Sequence, residues 1–420
     1  MKKASIVSIG NELLSGQTID TNASWLSGKL LSIGIPVVNS YTVGDDMDSI
    51  IRSFNLASSD ADLVLATGGL GPTDDDLTRQ AIAKFLDAEL QLQNELLQEI
   101  QNFFISRNLQ MPQKCKIQAY IPAGAKPLAN NIGTAPGIMA DATRPEPHRR
   151  KRRLLIALPG VPSEMEQMFE ESVLPKLKRI VTDQNVVVRK LKCFGVGESN
   201  IAELLGNLCR RGRNPLINCT AKHGVITLHI VATAKDKIQA QQMAKKDEKL
   251  LTDKLGELIY GKGDQTLAEV VGEKLAQQKK TIAVAESCTG GCLAKMLTDI
   301  PGASRYFTHG WITYSNGAKT GELGIPADLI EKHGAVSDRI ARAMAQSARE
   351  RAGTAFAIGI TGIAGPTGAS KQKPVGLVYI SVDSDKGCET KRFIFSHGRD
   401  FIRLQAAQTA LNMLRLKLDS

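Results

Sequence analysis

Along this 420-residue chain, short apolar runs alternate with stretches whose apolar residues recur at helical spacing. Mostly apolar runs at 4–9, 63–67 and 154–158 read as strands, and 23–32, 78–86 and 91–107 carry the helical stripe. Strands interleaved with helices predict a mostly parallel sheet covered by helices, with ligand loops at the carboxyl ends of the strands. Gly/Pro clusters stand at those ends: Gly10 to Glu12, Gly68 to Pro72, and Pro159 to Pro162. A polar, proline-containing segment at 141–153 separates two strand-like runs and reads as a solvated hairpin tip. Further on, 186–193 and 225–234 read as strands and 199–208 and 235–258 as helices, before a Gly-Lys-Gly-Asp linker at 261–264. The remainder alternates again, with helices at 266–277, 289–299, 337–351 and 399–417 and strands at 281–285, 355–360 and 375–382. The fold class is therefore α/β in three blocks, 1–172, 173–261 and 262–420, the middle one smaller and more charged.

Length and composition narrow the setting. A chain of 420 residues exceeds one ordinary core, and 42% hydrophobic content with 5% aromatics fits compact α/β domains. No apolar stretch approaches a membrane span, and the start of the chain lacks a signal-peptide pattern. Seven cysteines without a CxxC pair read as reduced thiols, which predicts a cytoplasmic protein. The net charge of +10 points to anionic partners, although nucleotides, nucleic acid and plain solubility fit it equally. Thin apolar anchoring between blocks leads to the expectation of a homodimer.

The third block carries the sharpest chemistry. The run from Thr281 to Ala285 leads into Glu286-Ser287-Cys288, and Thr289-Gly290-Gly291 opens a helical segment. A strand turning sharply into a helix exposes the hydroxyl at the turn and aims unpaired backbone N–H groups at what it attacks. Ser287 is thus a candidate nucleophile, with the alternative that it only caps the helix. Lys319, 32 positions on, is a candidate base once burial lowers its pKa, and Tyr314 could relay or orient the proton. Thr361, Gly362 and the glycines up to Pro366 follow a strand and suit a phosphate, which Arg399 could clamp. Cys288 is the rival nucleophile, but a thiolate mechanism usually wants a histidine. His309, His333 and His397 stand at no recognisable spacing from it.

Ala285 to Gly291, Pro301 to Ser304, Tyr314 to Asn316 with Lys319, Gly334 to Ser337, Thr361 to Pro366 and Lys373 to Gly376 closely resemble the nicotinamide-nucleotide amidohydrolase domain of the CinA (competence/damage-inducible) family. The resemblance implies hydrolysis of nicotinamide mononucleotide to nicotinate mononucleotide and ammonia, without a cofactor. It implies Ser287 as nucleophile, Lys319 as base, Tyr314 as their partner, backbone groups at Thr289, Gly290 and Gly291 as oxyanion hole, and Thr361, Gly362 and Arg399 near the nucleotide.

In the first block, Gly68, Gly69, Gly71 and Thr73 precede Asp74, Asp75 and Asp76. A glycine turn after a strand suits phosphate, and carboxylates beside a pyrophosphate suit a divalent cation. A helix N-terminus complemented by acids is the plainer alternative. With 10–16, 20–22, 133–137 and 158–164, this segment resembles the molybdopterin-binding-like domain that begins CinA-family proteins. Molybdopterin-cofactor enzymes usually carry Arg before the aspartate matching Asp76, and here Asp75 stands in that place. The resemblance implies hydrolysis of ADP-ribose to AMP and ribose 5-phosphate with Mg, Mn or Co, held by Glu12, Asp20, Asp75 and Asp76. A non-hydrolytic molybdopterin-binding module is the alternative. The middle block resembles the family's KH-like connecting domain. Gly195 and Gly197 lack the GxxG spacing of an RNA clamp, which argues against nucleic acid. A nucleic-acid-associated competence factor nevertheless stands as the rival for the whole chain.

Overall fold

The computed structural model describes residues 3–143, 153–180 and 185–419; the basic run at 149–152 lies outside them. The chain divides into two compact units, 1–187 with 233–241, and 188–232 with 242–420.

The first unit opens with β1 (Ala4–Ile9), every residue of which is buried. After α1 (Asn11–Leu14), α2 (Thr21–Ser32) begins at the N-cap Asp20, whose side chain accepts the Ala23 N–H at 2.9 Å. Next come β2 (Val37–Val43), α3 (Met47–Asp60), the fully buried β3 (Leu63–Thr67) and α4 (Thr78–Leu86). A two-stranded ribbon, β4 (Leu90–Leu92) and β5 (Tyr120–Pro122), brackets α5 (Asn94–Ile105). The stretch at 91–107, read as one helix, therefore begins as a strand. With β6 (Lys126–Leu128), β7 (Gly137–Asp141) and β8 (Leu154–Leu158), the main sheet has the order β2-β1-β3-β8-β7-β6. Its first four strands are parallel; β7 pairs antiparallel with β8, as a hairpin requires. The unit continues with α6 (Pro162–Met168) and α7 (Leu174–Ile180), joined by a π turn. One core layer gathers Val7, Phe54, Val64 and Ile82; the opposite face gathers Ile6, Leu26, Leu65 and Phe169.

Mostly in the second unit, β9 (Asn185–Cys193), β10 (Leu216–Lys222), β11 (Val225–Ala234) and β12 (Ile259–Lys262) form a four-stranded sheet, order β10-β11-β9-β12, with α8 (Glu198–Leu205) and α9 (Lys237–Leu255) between its strands in the chain. Then α10 (Leu267–Gln277), set by a Thr266/Glu269 capping box, leads to β13 (Ile282–Glu286), α11 (Cys292–Thr298) and β14 (Phe307–Ile312). Three helices follow, α12 (Asn316–Leu323), α13 (Ala327–His333) and α14 (Asp338–Ala352). The last buries Ile340, Ala341, Met344, Ala345 and Ala348, the i, i+1, i+4 stripe of an amphipathic helix. Finally β15 (Phe356–Gly362), β16 (Leu377–Ser384) and β17 (Gly387–Ile394) precede the 21-residue α15 (Arg399–Asp419). The sheet order is β14-β13-β15-β16-β17, with β14, β13 and β15 parallel.

Both sheets reverse direction in the same way. From β1 the chain moves outward to β2 and returns past it to β3; from β13 it moves to β14 and returns to β15. Such a switch point leaves a crevice at the carboxyl ends of the strands, where ligands bind. Each candidate site sits at one. Among the described residues no helix is long and apolar enough to cross a membrane.

Candidate active sites

Ser287 follows the last residue of β13, and its N–H donates to the Ile360 carbonyl of β15 at 2.9 Å, which anchors it at the switch point. The helical segment starts at Cys292, so 287–291 form a turn rather than the first turn of the helix. Gly290 and Gly291 have φ of 56° and 91°, left-handed values that a side chain rarely adopts, and they let the chain reverse so tightly.

Lys319, on α12, is buried to 1% exposure and brings Nζ within 3.0 Å of Ser287 Oγ. Its other partners are the carbonyls of Thr313 at 2.8 Å and Tyr314 at 3.4 Å. No carboxylate pairs with it among the described residues. Burial, the dominant effect, lowers its pKa below the ordinary lysine value; the Cys288 side chain opposes this weakly. A neutral amine has two hydrogens for the two carbonyls and a lone pair left for the Ser287 hydroxyl. The environment thus favours the protonation state a base needs.

Cys288 is also buried, and burial pushes its thiol up to about 12, with Glu286 adding to the rise. His309 stacks on Trp311 and His397 packs edge-on against Phe401, and the charges that act on the Cys288 thiol are those of Glu286, Lys319 and Arg399.

The surrounding groups depart from expectation in three respects. The Tyr314 hydroxyl receives an N–H from Arg399 at 2.8 Å and does not touch Lys319, so Tyr314 meets the lysine through its carbonyl. Arg399 also donates to the Gly365 carbonyl at 2.7 Å, tying the tyrosine to the glycine loop. Thr361 is buried and donates its hydroxyl to Ala335 at 2.7 Å, while Gly362 ends the β15–β16 ladder; both hold the loop in shape. Most importantly, the Gly290 N–H is taken by the Ser287 carbonyl at 3.1 Å and the Gly291 N–H by the Glu286 carboxylate at 3.0 Å. Those two amides therefore do not form an oxyanion hole; of the three expected residues only Thr289 keeps an open N–H. Two residues not singled out from sequence border the turn: Glu286, and Arg403, whose Nε and Nη2 hold the Thr289 carbonyl at 3.2 and 2.9 Å.

In the first unit, Glu12, Gly68, Gly69, Gly71, Thr73, Asp75 and Asp76 line one cleft of about 430 Å³, together with Asp45, Gln118 and Glu164. Gly68 is required by its setting, since φ is 101° and a Cβ would lie 2.1 Å from the Ile9 carbonyl. Its N–H goes to Leu158 at 3.1 Å, and Asp76 accepts the amides of Gly71 and Thr73, each at 2.8 Å, and the Thr73 hydroxyl. These amides shape the loop instead of facing a phosphate; the Gly69 N–H donates to no protein acceptor among the described residues. Beneath the loop, Arg79 is fully buried and donates to the Leu70 carbonyl at 2.9 Å, with Nε and Nη1 unpartnered. Burial lowers its pKa to about 10, which still leaves it positive at neutral pH. A charged residue on a helix looks solvated in sequence, so this cation was not foreseen.

The four carboxylates expected to hold a metal do not converge. Asp20 caps α2, Asp76 is spent on its own loop, and the exposed Asp75 is held low chiefly by a hydrogen bond with Thr73. Among the described residues no three metal-type side chains stand together. The donor set as folded does not fit a resident ion.

Comparison with known proteins adds lineage to this geometry. Residues 264–418 match the family model described as CinA C-terminal domain, residues 5–179 the Probable molybdopterin binding domain, and residues 188–261 the Damage-inducible protein CinA KH domain. A CinA-like protein of Kosmotoga olearia is 42% identical over 418 residues, 99% of each chain. A competence-damage inducible protein of Caldicellulosiruptor bescii is 41% identical over 415 residues, again 99% of each chain. Among solved structures, the competence/damage inducible protein CihA of Agrobacterium tumefaciens covers 37% of this chain and 94% of its own at 38% identity, with a TM-score of 0.36.

Proposed function

The chain belongs to the CinA family, and from that premise we propose that its C-terminal region hydrolyses the carboxamide of nicotinamide mononucleotide to nicotinate mononucleotide and ammonia. The observation that carries the reading is the buried, carboxylate-free Lys319 with Nζ 3.0 Å from Ser287 Oγ. Ser287 Oγ bonds to the carboxamide carbon as its proton passes to Lys319 Nζ. The tetrahedral intermediate collapses, its C–N bond breaks, and Lys319 returns the proton to the departing nitrogen, releasing ammonia. Water, deprotonated by the same amine, then attacks the nicotinoyl ester and regenerates the serine. The pyridinium ring withdraws electrons from the carbonyl and makes it a better electrophile. Arg399, joined to Tyr314 and the glycine loop, would take the nucleotide's phosphate with its remaining N–H groups.

A second reading concerns the first unit, whose cleft offers an open Gly69 amide, with the buried Arg79 cation beneath the glycine loop and outside the lining, and with Glu12, Asp45, Asp75, Asp76 and Glu164 around it, so that a diphosphate there calls for a bridging cation. We propose ADP-ribose as its substrate, cleaved to AMP and ribose 5-phosphate. A dependence on Mg, Mn or Co would have to come mainly through the ion's bonds to the diphosphate, because the side chains do not pre-form a cage.

One assay on the full chain tests both readings. With both nucleotides offered, ammonia should be released from nicotinamide mononucleotide equally with and without chelator, and AMP should appear only without it. Ammonia release that stops on chelation would remove the metal-free amidase reading; absence of AMP under all conditions would remove the second.

Asp76→Asn gives a sharper separation. The substitution replaces a charge that accepts two loop amides, so AMP production should fall about 10-fold to 100-fold while ammonia release is unchanged. Unchanged AMP production would mean that the loop geometry is not used.

A further inference from the structure

Glu286 is the last residue of β13, has no exposed surface and directly precedes Ser287. Its carboxylate accepts the N–H groups of Gly291 at 3.0 Å, Leu293 at 3.1 Å and Ala294 at 2.8 Å. The turn is fastened elsewhere too. Gly290 N–H donates to the Ser287 carbonyl at 3.1 Å, Cys292 N–H to the Thr289 carbonyl at 3.2 Å, and Arg403 holds that same carbonyl. The amides from Gly290 to Ala294 are thereby all occupied. Two remain next to the nucleophile: that of Cys288, which meets only its own thiol, and that of Thr289, which has no protein acceptor among the described residues. Thr289 as a whole has no exposed surface, and its hydroxyl has no protein partner among the described residues.

We propose that Glu286 is a positioning residue that takes up the amides of Gly291, Leu293 and Ala294 and so fixes the turn, leaving the Cys288 and Thr289 N–H groups to receive the oxyanion. This rests on the deamidase reading above. A carboxylate is needed because three N–H donors converge on it. Glutamine would offer one carbonyl oxygen and set its own NH₂ against a backbone donor, so at least one amide would be left to turn elsewhere.

The test compares wild type and Glu286→Gln as full chains. The substrate is nicotinamide mononucleotide, and the probe is the corresponding pyridine-3-carbaldehyde mononucleotide. Ser287 Oγ adds to the aldehyde carbon, the hydroxyl proton passes to Lys319, and the former carbonyl oxygen becomes an alkoxide in the hole. In Glu286→Gln, kcat should fall about 10²-fold with KM within about twofold. Aldehyde affinity should fall in proportion to kcat, and affinity for nicotinate mononucleotide should not change. A residue that only supports the fold would lower the melting temperature or the active fraction without that parallel loss. Residue-resolved hydrogen exchange on wild type gives a reading independent of the variant's folding. The aldehyde should slow exchange at Cys288 and Thr289 and leave Gly290 and Gly291 as they were. Slowing at Gly290 and Gly291 instead, or an unchanged kcat and aldehyde affinity in Glu286→Gln beside an active wild type, overturns the assignment and leaves the deamidase reading standing. A wild type that releases no ammonia overturns both.

Discussion

Ser287→Ala should lower deamidation of nicotinamide mononucleotide by at least about 10³-fold and leave product binding within a few-fold of wild type. The substitution removes the attacking oxygen but keeps the turn, since the backbone of residue 287, not its side chain, bonds to Ile360 and Gly290. Cys288→Ala should keep most of the activity. A buried thiol pushed up to about 12 supplies almost no thiolate at neutral pH, and no histidine is among the groups that shift it. Mass spectrometry of acid-quenched enzyme should find the nicotinoyl ribotide on Ser287. An adduct on Cys288, or a dead Cys288→Ala beside an active Ser287→Ala, would transfer the chemistry to the thiol.

Lys319→Ala should be as damaging as the serine variant, and the double variant no worse than either, because the two groups act as one unit. Lys319→Arg keeps the positive charge but cannot give up its proton in the working range, so it should be nearly as inactive. The sign of the pH dependence follows from the burial of the amine. The folded pKa lies below the ordinary lysine value, the amine is protonated at lower pH, and protonated it cannot accept from Ser287. Wild-type kcat/KM should therefore rise with pH through the lowered pKa and level off above it. Substantial activity in Lys319→Arg with the same acidic limb would assign that limb, and the base, to another group.

The interior strands and the meeting of Ser287 with Lys319 were legible in the sequence for a physical reason. β1, β3, β8 and β13 are covered on both faces and so read as near-continuous apolar runs. The outer strands β2, β14 and β17 escaped notice because most of their residues are partly or fully exposed. Ser287 and Lys319 announced themselves by type and by motif. Glu286 did not, because a carboxylate ending an apolar run looks like the edge of a strand and not like the acceptor of three amides five to eight positions on. The oxyanion assignment to Gly290 and Gly291 failed for the same reason: which acceptor an amide finds is a tertiary fact. Asp20 shows the converse, since an N-cap aspartate and a metal ligand are indistinguishable until the Ala23 N–H is seen to reach it. Arg79 and Arg403, inward-facing cations on helices, share a spacing with many solvated ones.

The high thiol pKa beside the proposed nucleophile also bears on chemical wear. Peroxides and electrophiles attack thiolates, and their rates follow the thiolate fraction and its exposure. Cys288 offers neither, being buried and protonated, and Glu286 also helps to keep the neighbouring Cys292 protonated, burial again being the larger cause. A serine that attacks with the help of an amine has no sulfur to lose. The proposed hydrolysis at this turn would thus rest on groups that oxidative stress leaves intact, with the Cys288 sulfur beside Ser287 kept in its inert form.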